Sequence, residues 1–593
     1  MSRLQQLQRK PISFDTTIRN PERIPYFLSV LKAYEGKVLT YELALEIEAQ
    51  MIIQKIYEPT AQTLGNYTKE YNKKFKFRAM DQSLEAENRV SDYFEEWKKS
   101  SGGEFPLDKM LYLLKNTITS FRQDSSMPGG WISRFYTQFA FANELGLVHT
   151  EFNEEIKFSE NGNLMIRDFK NGKVLTDYSD SHETSAFLIA FSKYQINNPY
   201  RSNTIKVNFF TLVLKVIQYL DKKYDRPGIH REDITFIIAW GNNDHIDLAE
   251  YIYKFRSKFG YKASEETIYE YAMNLIDEST TNELRPATQS FIKKKKKHYK
   301  FDKLTGETRD EVVRKLRMTR LVSLRGAGRF IDIDSMNKDK VDYILNRYFE
   351  NINFDKFDSQ NYLDYMGEID NNLIYSSEII ETELMLDVKQ KALHEWSEEP
   401  WEFLHNELIK SSKKGYTDNL VLKEIQAPAR FEFLVSIVLQ KALKSAEIHP
   451  NYIADDQGIP YSTAGGQKEG VVGADIDVFE KNVHALVEPT ISSARSFQVE
   501  HEIPSIQEHI LSTNEMDFDN LDKEHINEWF GLFIAPRIVS AVGNRIDIVK
   551  QESGAEIFAW EAKDFGEFSK TVNSIKDYKT TRSYAVSRTM KQR

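Results

Sequence analysis

The chain has no cysteine among its 593 residues. Disulfides, thiolate metal ligands and cysteine nucleophiles are therefore excluded, and a cytoplasmic location is expected. No apolar run approaches the ~18 to 20 residues that a membrane helix requires, so a membrane partner is not expected. Long tracts rich in proline, glycine or serine are also missing, and the polar opening from Met1 to Lys10 lacks the apolar segment of a secretion signal. What is present is the composition of a folded protein: 41% hydrophobic, 12% aromatic and 28% charged residues. The length exceeds one ordinary core and predicts two to four domains of roughly 100 to 200 residues each.

The net charge of −10 argues against indiscriminate coating of nucleic acid. Its distribution is uneven. From Lys293 to Arg329 there are 14 Lys/Arg against four Asp/Glu, a balance of +10 that leaves −20 for the remainder. That segment can face a polyanion while the rest does not.

Pattern separates four regions: 1–180, 181–336, 337–419 and 420–593. In the first, helical stretches such as Ile24 to Tyr34 alternate with breakers, including Pro128-Gly129-Gly130. There the helix "SRFYTQFAFANELG" leads into "LVHTEFNEEIKFSENGNLMIRDF", which reads as two short strands around a Glu160-Asn161-Gly162-Asn163 turn. A helix followed by a hairpin suits a winged-helix unit, and ordinary α+β packing gives the same pattern. The second region is helical from His182 to about Asp277, with apolar residues at i, i+3 and i+4 in "VNFFTLVLKVIQYLDKKY" and "HIDLAEYIYKFRSKFG". Its basic end predicts a helix from Arg309 to Thr319, then two strands joined at Arg325-Gly326-Ala327-Gly328-Arg329. The third region is acidic and helical, a linker and scaffold. The fourth alternates helix and strand. No repeat of fixed period is present, which argues against a solenoid.

The fourth region carries the chemistry. In "GADIDVFEKNVHALVEPT", residues 474–480 alternate as a strand, and Val483 to Val487 form a more continuously apolar one. A turn at Lys481-Asn482 sets Asp475 opposite Glu488. Directly opposed residues have Cβ atoms ~4.5 to 5.5 Å apart, close enough for two carboxylates to share one hard cation. Without a cation the pair repels itself and at least one pKa rises. A magnesium ion uses a few carboxylates, waters and phosphate oxygens, and it can activate water against a phosphodiester. Such acids can equally be the soluble edge of a surface hairpin, although the buried character of Ala485 to Val487 speaks against that. Asp477 is the rival to Asp475. Glu502, four residues after Gln498 on a short helix, and Glu432, in the amphipathic helix "ARFEFLVSIVLQKAL", are two further acids that can converge on the pair. Each alone is an ordinary helix-boundary charge.

Segments in order along the chain carry a resemblance: "TTIRNPERIPYFLSVLKAYEG", "PGGWISRF", "DITFIIAWGNNDHIDLAEYIYKFR", "LRGAGRFIDI", "FEFL", "ADIDVF", "VEPT" and "RSFQVEHE". Together they resemble the AlwI family of type IIS restriction and site-specific nicking endonucleases, nearly end to end. The resemblance implies a C-terminal α/β domain of the PD-(D/E)XK nuclease fold with a central mixed sheet, preceded by a DNA-recognition region. It makes Asp475 and Glu488 the magnesium-binding catalytic acids, although Ala474 stands where the motif usually has proline. Thr490 stands where the wider superfamily has lysine. Glu502 and Glu432 fall at positions similar to the family's additional acids, with a one-residue offset near Gln498. A second candidate, Asp547 with Glu561-Ala562-Lys563, is the more literal E-x-K match. The resemblance places it on a later strand and helix, far in sequence from Glu432 and Glu502.

For DNA, the expectation is a phosphate-tracking surface built from Lys293, Lys294, Lys295, Lys296, Lys297, Arg314, Arg317, Arg320, Arg325 and Arg329, with Arg309 and Lys315 beside them. The lysine run alone would pass for a solvated surface. Base edges must be read by particular side chains in a groove. The expected activity is recognition of a short asymmetric duplex by residues 1–336 and Mg²⁺-dependent hydrolysis outside it by residues 420–593. One centre cuts one strand, so a double-strand break needs a second nuclease domain or a second event. Two other readings remain: a DNA-binding protein with an inactive nuclease-like domain, and a nuclease selective for DNA structure.

Overall fold

A computed structural model describes residues 21–59, 84–118, 130–175, 180–201, 206–278, 283–297, 299–350, 352–354, 358–376, 383–463, 473–519 and 526–583, the side chains of 277–278 and 514–519 excepted. The opening Met1 to Lys10 and the Pro128-Gly129 breaker lie outside these residues. The chain forms two compact units. The first comprises Met1–Pro227, Glu232–Lys315 and Asp339–Tyr375, and the second Gly228–Arg231, Leu316–Lys338 and Ser376–Arg593. This division differs from the four regions read in the sequence. The stretch read as a linker is shared between the units, and the glycine-tipped hairpin goes with the C-terminal unit.

The first unit is mainly helical. Its helices Phe209–Tyr224 and His245–Phe259 occupy the two amphipathic stretches and start at Asn208 and Asp244, whose side chains accept from Thr211 N and Asp247 N. One of its cores gathers Ala49, Ile52, Trp97, Leu113 and Trp131. The expected hairpin near residue 150 is smaller than the pattern suggested: Val148–His149 pairs with Lys157–Phe158. Glu160 to Met165, expected to hold its turn, is a helix, because the Ser159 side chain caps it by accepting from Gly162 N at 3.0 Å. Gly162 is required by proximity, since a Cβ there would stand 2.0 Å from the Leu147 carbonyl oxygen.

The C-terminal unit is built on a mixed five-stranded sheet. Its strands are β1 (Glu447–Pro450), β2 (Ile476–Glu480), β3 (Val483–Pro489), β4 (Glu528–Ala535) and β5 (Ile557–Glu561), in the order β5-β4-β3-β2-β1. β1, β2 and β3 are antiparallel neighbours, while β3, β4 and β5 run parallel. The central β3 is buried along its whole length, as its continuous apolar run requires. Helix α1 (Ala427–Ala442) packs against β1 and β3. Helix α2 (Ile503–Asp519) lies on β3 and β4, with Ile503, Ile506 and Ile510 forming the stripe that meets Leu486 and Phe533. Gly531 lets it approach: a Cβ on that residue would meet Ile506 at 2.6 Å. Helices α3 (Ser540–Ser553) and α4 (Ala562–Phe568) complete this part of the unit.

A separate three-stranded sheet in the same unit joins Ile229–His230, Phe330–Ile333 and Val322–Arg325. Its hairpin turns where expected, with Gly326, Ala327 and Gly328 all at positive φ.

Candidate active site

The β2–β3 hairpin has the anticipated register. Glu480 faces Val483 and Ile476 faces Val487, with Lys481 in the left-handed region at the turn. One further step along this register brings Asp475 opposite Glu488. Asp475 is half-buried and held by its backbone, since Asn451 N donates to its carbonyl at 2.9 Å. Glu488 is 7% exposed and shares the sheet face of Leu486, the face that α2 covers.

The two carboxyl groups are close enough to shift each other's protonation. Burial pushes the Asp475 carboxyl well above the usual carboxylate range, and the charges of Glu488 and Glu502 add to the shift. Burial does the same to Glu488, reinforced by Glu502 and offset by Asp475. Glu502 is also raised by burial, eased by a hydrogen bond from Thr490 and by the proximity of His509. Three acids thus concentrate negative charge at the end of a buried strand, which is the condition that a cation would relieve. All candidate donors are oxygen, which suits a hard divalent ion. Among the described residues, no three His, Cys, Asp or Glu side chains already form a metal-ligating cluster. A cation held by Asp475 and Glu488 would complete its shell with water and phosphate oxygens.

Asp477, the rival acid, lies on the same face, but its carboxylate is engaged within the sheet. Its Oδ1 is 2.8 Å from His484 Nε2, and its Oδ2 accepts from Asn451 Nδ2 at 2.8 Å. Glu432 is buried on α1, the helix that packs against β3. The E-x-K alternative has a different geometry. Asp547 is on α3 rather than a strand, and Glu561, at the end of β5, accepts from Ile538 N at 3.4 Å and Ser583 Oγ at 3.3 Å.

Two neighbours of the acids were not anticipated from the sequence. His509 on α2 places Nδ1 2.6 Å from Glu488 Oε1, and burial lowers its pKa against the pull of the neighbouring acids. Thr490 was noticed only for the lysine it replaces. Its N–H donates to Ile534 O at 2.8 Å, its Oγ1 accepts from Ser492 N at 3.2 Å, and its hydroxyl reaches Glu502. The offset near Gln498 also has a structural basis. Residues Gln498–Glu502 form a π-helical turn, which accommodates one residue more than an α-turn. The buried Gln498 amide clips that turn to the loops after β3 and β4, donating to Ser492 O and Arg537 O and accepting from Val539 N.

The sequence pattern of the AlwI restriction endonucleases matches residues 143–400 and 402–551. The chain belongs to the AlwI restriction endonuclease family. Membership in the AlwI family makes it a restriction nuclease, a hydrolase acting on DNA. Among solved structures, the chain is similar to the restriction endonuclease FokI, with 11% identity over 91% of this chain and 96% of FokI and a TM-score of 0.24. FokI bound to DNA gives 10% identity over 93% and 99%, with a TM-score of 0.23. The small subunit (R.BspD6I2) of the heterodimeric restriction endonuclease R.BspD6I gives 16% identity over 32% and 85%, with a TM-score of 0.22. At these scores the likenesses carry no weight for function. Comparison with curated proteins finds no match. No helix among the described residues is long and apolar enough to cross a membrane.

The basic residues divide into two sets. Lys293, Lys294, Lys296 and Lys297 are exposed and Lys295 half-buried, at the end of helix Gln289–Lys295 in the first unit. Arg314 is half-buried and Arg329 exposed. The others are occupied by the fold. Arg317 is 3% exposed and ion-paired with Asp455, and it donates to Pro460 O at 2.8 Å. Arg320 is buried beside Ser462. Arg325 pairs with Asp332 at 2.7 Å and Asp456 at 2.9 Å. Lys315 is fully buried near Glu311, and burial lowers its pKa to about 7. Arg309 pairs with Glu265 at 3.2 Å. These last five have internal work to do. Their availability to phosphate does not follow from the local excess of positive charge.

Proposed function

We propose that the protein is a type IIS-like endonuclease that recognises a short asymmetric DNA duplex and hydrolyses phosphodiester bonds outside it, at the centre formed by Asp475 and Glu488. The observation that carries this reading is the register that sets these two carboxyls together at the buried end of β3. They would hold a magnesium ion, with Pro489's carbonyl as a further ligand. When bound, that ion would polarise the phosphodiester and lower the pKa of an attacking water.

The chain's own residues prepare the site. Burial of Glu488 excludes bulk water and strengthens the local field. Glu502, hydrogen-bonded by Thr490, would support a second cation or direct water, and Glu432 would be a further acid in reserve. Thr490 supplies a neutral donor where the superfamily has lysine, so the positive charge beside the attacking water must come from another source. One such centre cuts one strand. A double-strand break would need a second nuclease domain, from another copy or a small subunit, or two successive events. The supporting test is incubation with diverse plasmids in Mg²⁺ or EDTA. Nicks or breaks confined to Mg²⁺ are expected, whereas no cut on any modified or unmodified substrate would favour a binding protein with an inactive domain. Cutting of branched DNA at no fixed sequence would favour the structure-selective reading.

Two further outcomes follow. Thr490→Val removes the hydroxyl from Glu502 and leaves a buried acid short of a donor, a cost of about 1 to 3 kcal/mol. Single-turnover cleavage should slow by roughly fivefold to a hundredfold, with Thr490→Ser near wild type. Replacement of Lys293, Lys294, Lys296 and Lys297 by glutamine should weaken binding to all sequences alike. The slope of log affinity against log salt should shrink by about 0.9 for each phosphate that is no longer neutralised. Fluorescence anisotropy at graded salt reads this directly, and an unchanged slope would remove the run from the DNA surface.

A further inference from the structure

We infer that His509 is a positioning residue for Glu488, holding one carboxylate oxygen so that the other is presented to a divalent cation; the inference rests on the proposed metal-binding role of Glu488. His509 Nδ1 is 2.6 Å from Glu488 Oε1, and Ser505 Oγ is 3.3 Å from His509 Nε2. Ser505 and His509 are four residues apart on α2, hence neighbours on one helix face. The helix is anchored to the sheet by Ile503, Ile506 and Ile510. The ring therefore cannot drift away from the carboxylate without unpacking that core.

Glu488 Oε1 is an acceptor, so the proton in this contact sits on His509 Nδ1 and is donated to Oε1, while Ser505 Oγ engages Nε2. Glu488 Oε2 then remains for Asp475 and for a cation between them. With both ring nitrogens engaged, His509 has no free position from which to take a proton from water. Its action is exerted through Glu488. This hydrogen bond also steadies one carboxylate within the crowded acid cluster. Partners that orient a ligating side chain typically contribute about 10- to 100-fold to metal affinity or activity.

The side-chain amide of asparagine reaches the place of Nδ1, whereas that of glutamine reaches the place of Nε2. H509N should therefore keep the donor to Glu488, and H509Q should lose it. Calorimetric titration of the full-length protein with Mn²⁺ is the primary readout, with thermal melting to verify folding and the Mg²⁺ dependence of single-turnover cleavage as the second. H509Q should weaken Mn²⁺ binding by roughly tenfold to a hundredfold and raise the half-saturating Mg²⁺ concentration similarly, with cleavage recovering at high Mg²⁺. H509N should stay within about threefold of wild type. Equal Mn²⁺ affinity in folded H509N, H509Q and wild type would overturn the positioning role. Equal losses in both variants would also overturn it, because a purely structural histidine gives that result. E488Q serves as the control for the underlying reading. If E488Q binds Mn²⁺ as wild type does, Glu488 is not a metal ligand and the failure lies there rather than with His509.

Discussion

Replacing Glu488 with glutamine is expected to slow phosphodiester cleavage by at least ~10³-fold, because a metal's electrostatic contribution of several kcal/mol is lost with its ligand and each ~1.4 kcal/mol is tenfold. DNA binding should survive, since the basic residues that remain exposed lie on other parts of the chain. Stability is expected to move in the opposite direction. The folded state raises the Glu488 pKa, so ionisation of this group at neutral pH is a cost that folding must overcome. Glutamine is isosteric with the uncharged acid, and its carbonyl still accepts from His509. In metal-free buffer the variant should melt above wild type, and Mg²⁺ should narrow the gap by stabilising only the wild type. A nuclease-dead but more stable protein is the signature of a site that sacrifices stability for chemistry. Glu561→Ala should remain active. Its carboxylate is tied to Ile538 N and Ser583 Oγ, so its loss is a modest matter of stability.

The second large effect concerns Arg317, which belongs to the basic segment by sequence and to the interior by structure. Its guanidinium donates to Val322 O at 3.3 Å and Pro460 O at 2.8 Å, pairs with Asp455, and lies 4.3 Å from the Tyr461 ring centre. Asp455 Oδ1 in turn accepts from Gln457 N and Ile459 N, both at 2.9 Å. Tyr461 donates to Val322 O and approaches Asp334 Oδ2 at 2.7 Å, and burial raises the Asp334 pKa to about 6. Arg317→Ala would strand the Asp455 charge in this interior. Breaking a buried pair from one side costs about 3 to 5 kcal/mol. Urea unfolding of the full chain should show a loss of that size in the transition that reports the C-terminal unit. Unchanged stability accompanied by a lower salt slope for DNA binding would return Arg317 to the phosphate surface.

These two residues mark what local pattern can and cannot reveal. The β2–β3 hairpin was legible because strand side chains alternate with a period of two and a tight turn leaves little freedom in register. Asp475 and Glu488 then follow by counting. His509 was not legible, since it lies 21 residues beyond Glu488 and reaches it only through the packing of α2 on the sheet. The internal partners of the arginines were not legible for a similar reason. Asp455 and Asp456, which neutralise Arg317 and Arg325, are more than 130 positions downstream. A charge count over one segment cannot see partners brought in by the fold. The Glu160–Asn163 segment shows the same limit at short range. Its asparagines and glycine favour a turn, but the Ser159 cap and the close approach of Leu147 select a helix.

On the proposed reading, one metal-dependent centre containing Glu488 cuts DNA at a fixed distance from a recognised sequence. Strand-resolved run-off sequencing of plasmid digested by wild type and by Glu488→Gln, in Mg²⁺, is the decisive measurement. The expected result is a single short asymmetric sequence at constant offset from every wild-type cut, with no cuts by the variant. Cuts by Glu488→Gln at the same positions and rate as wild type would contradict it.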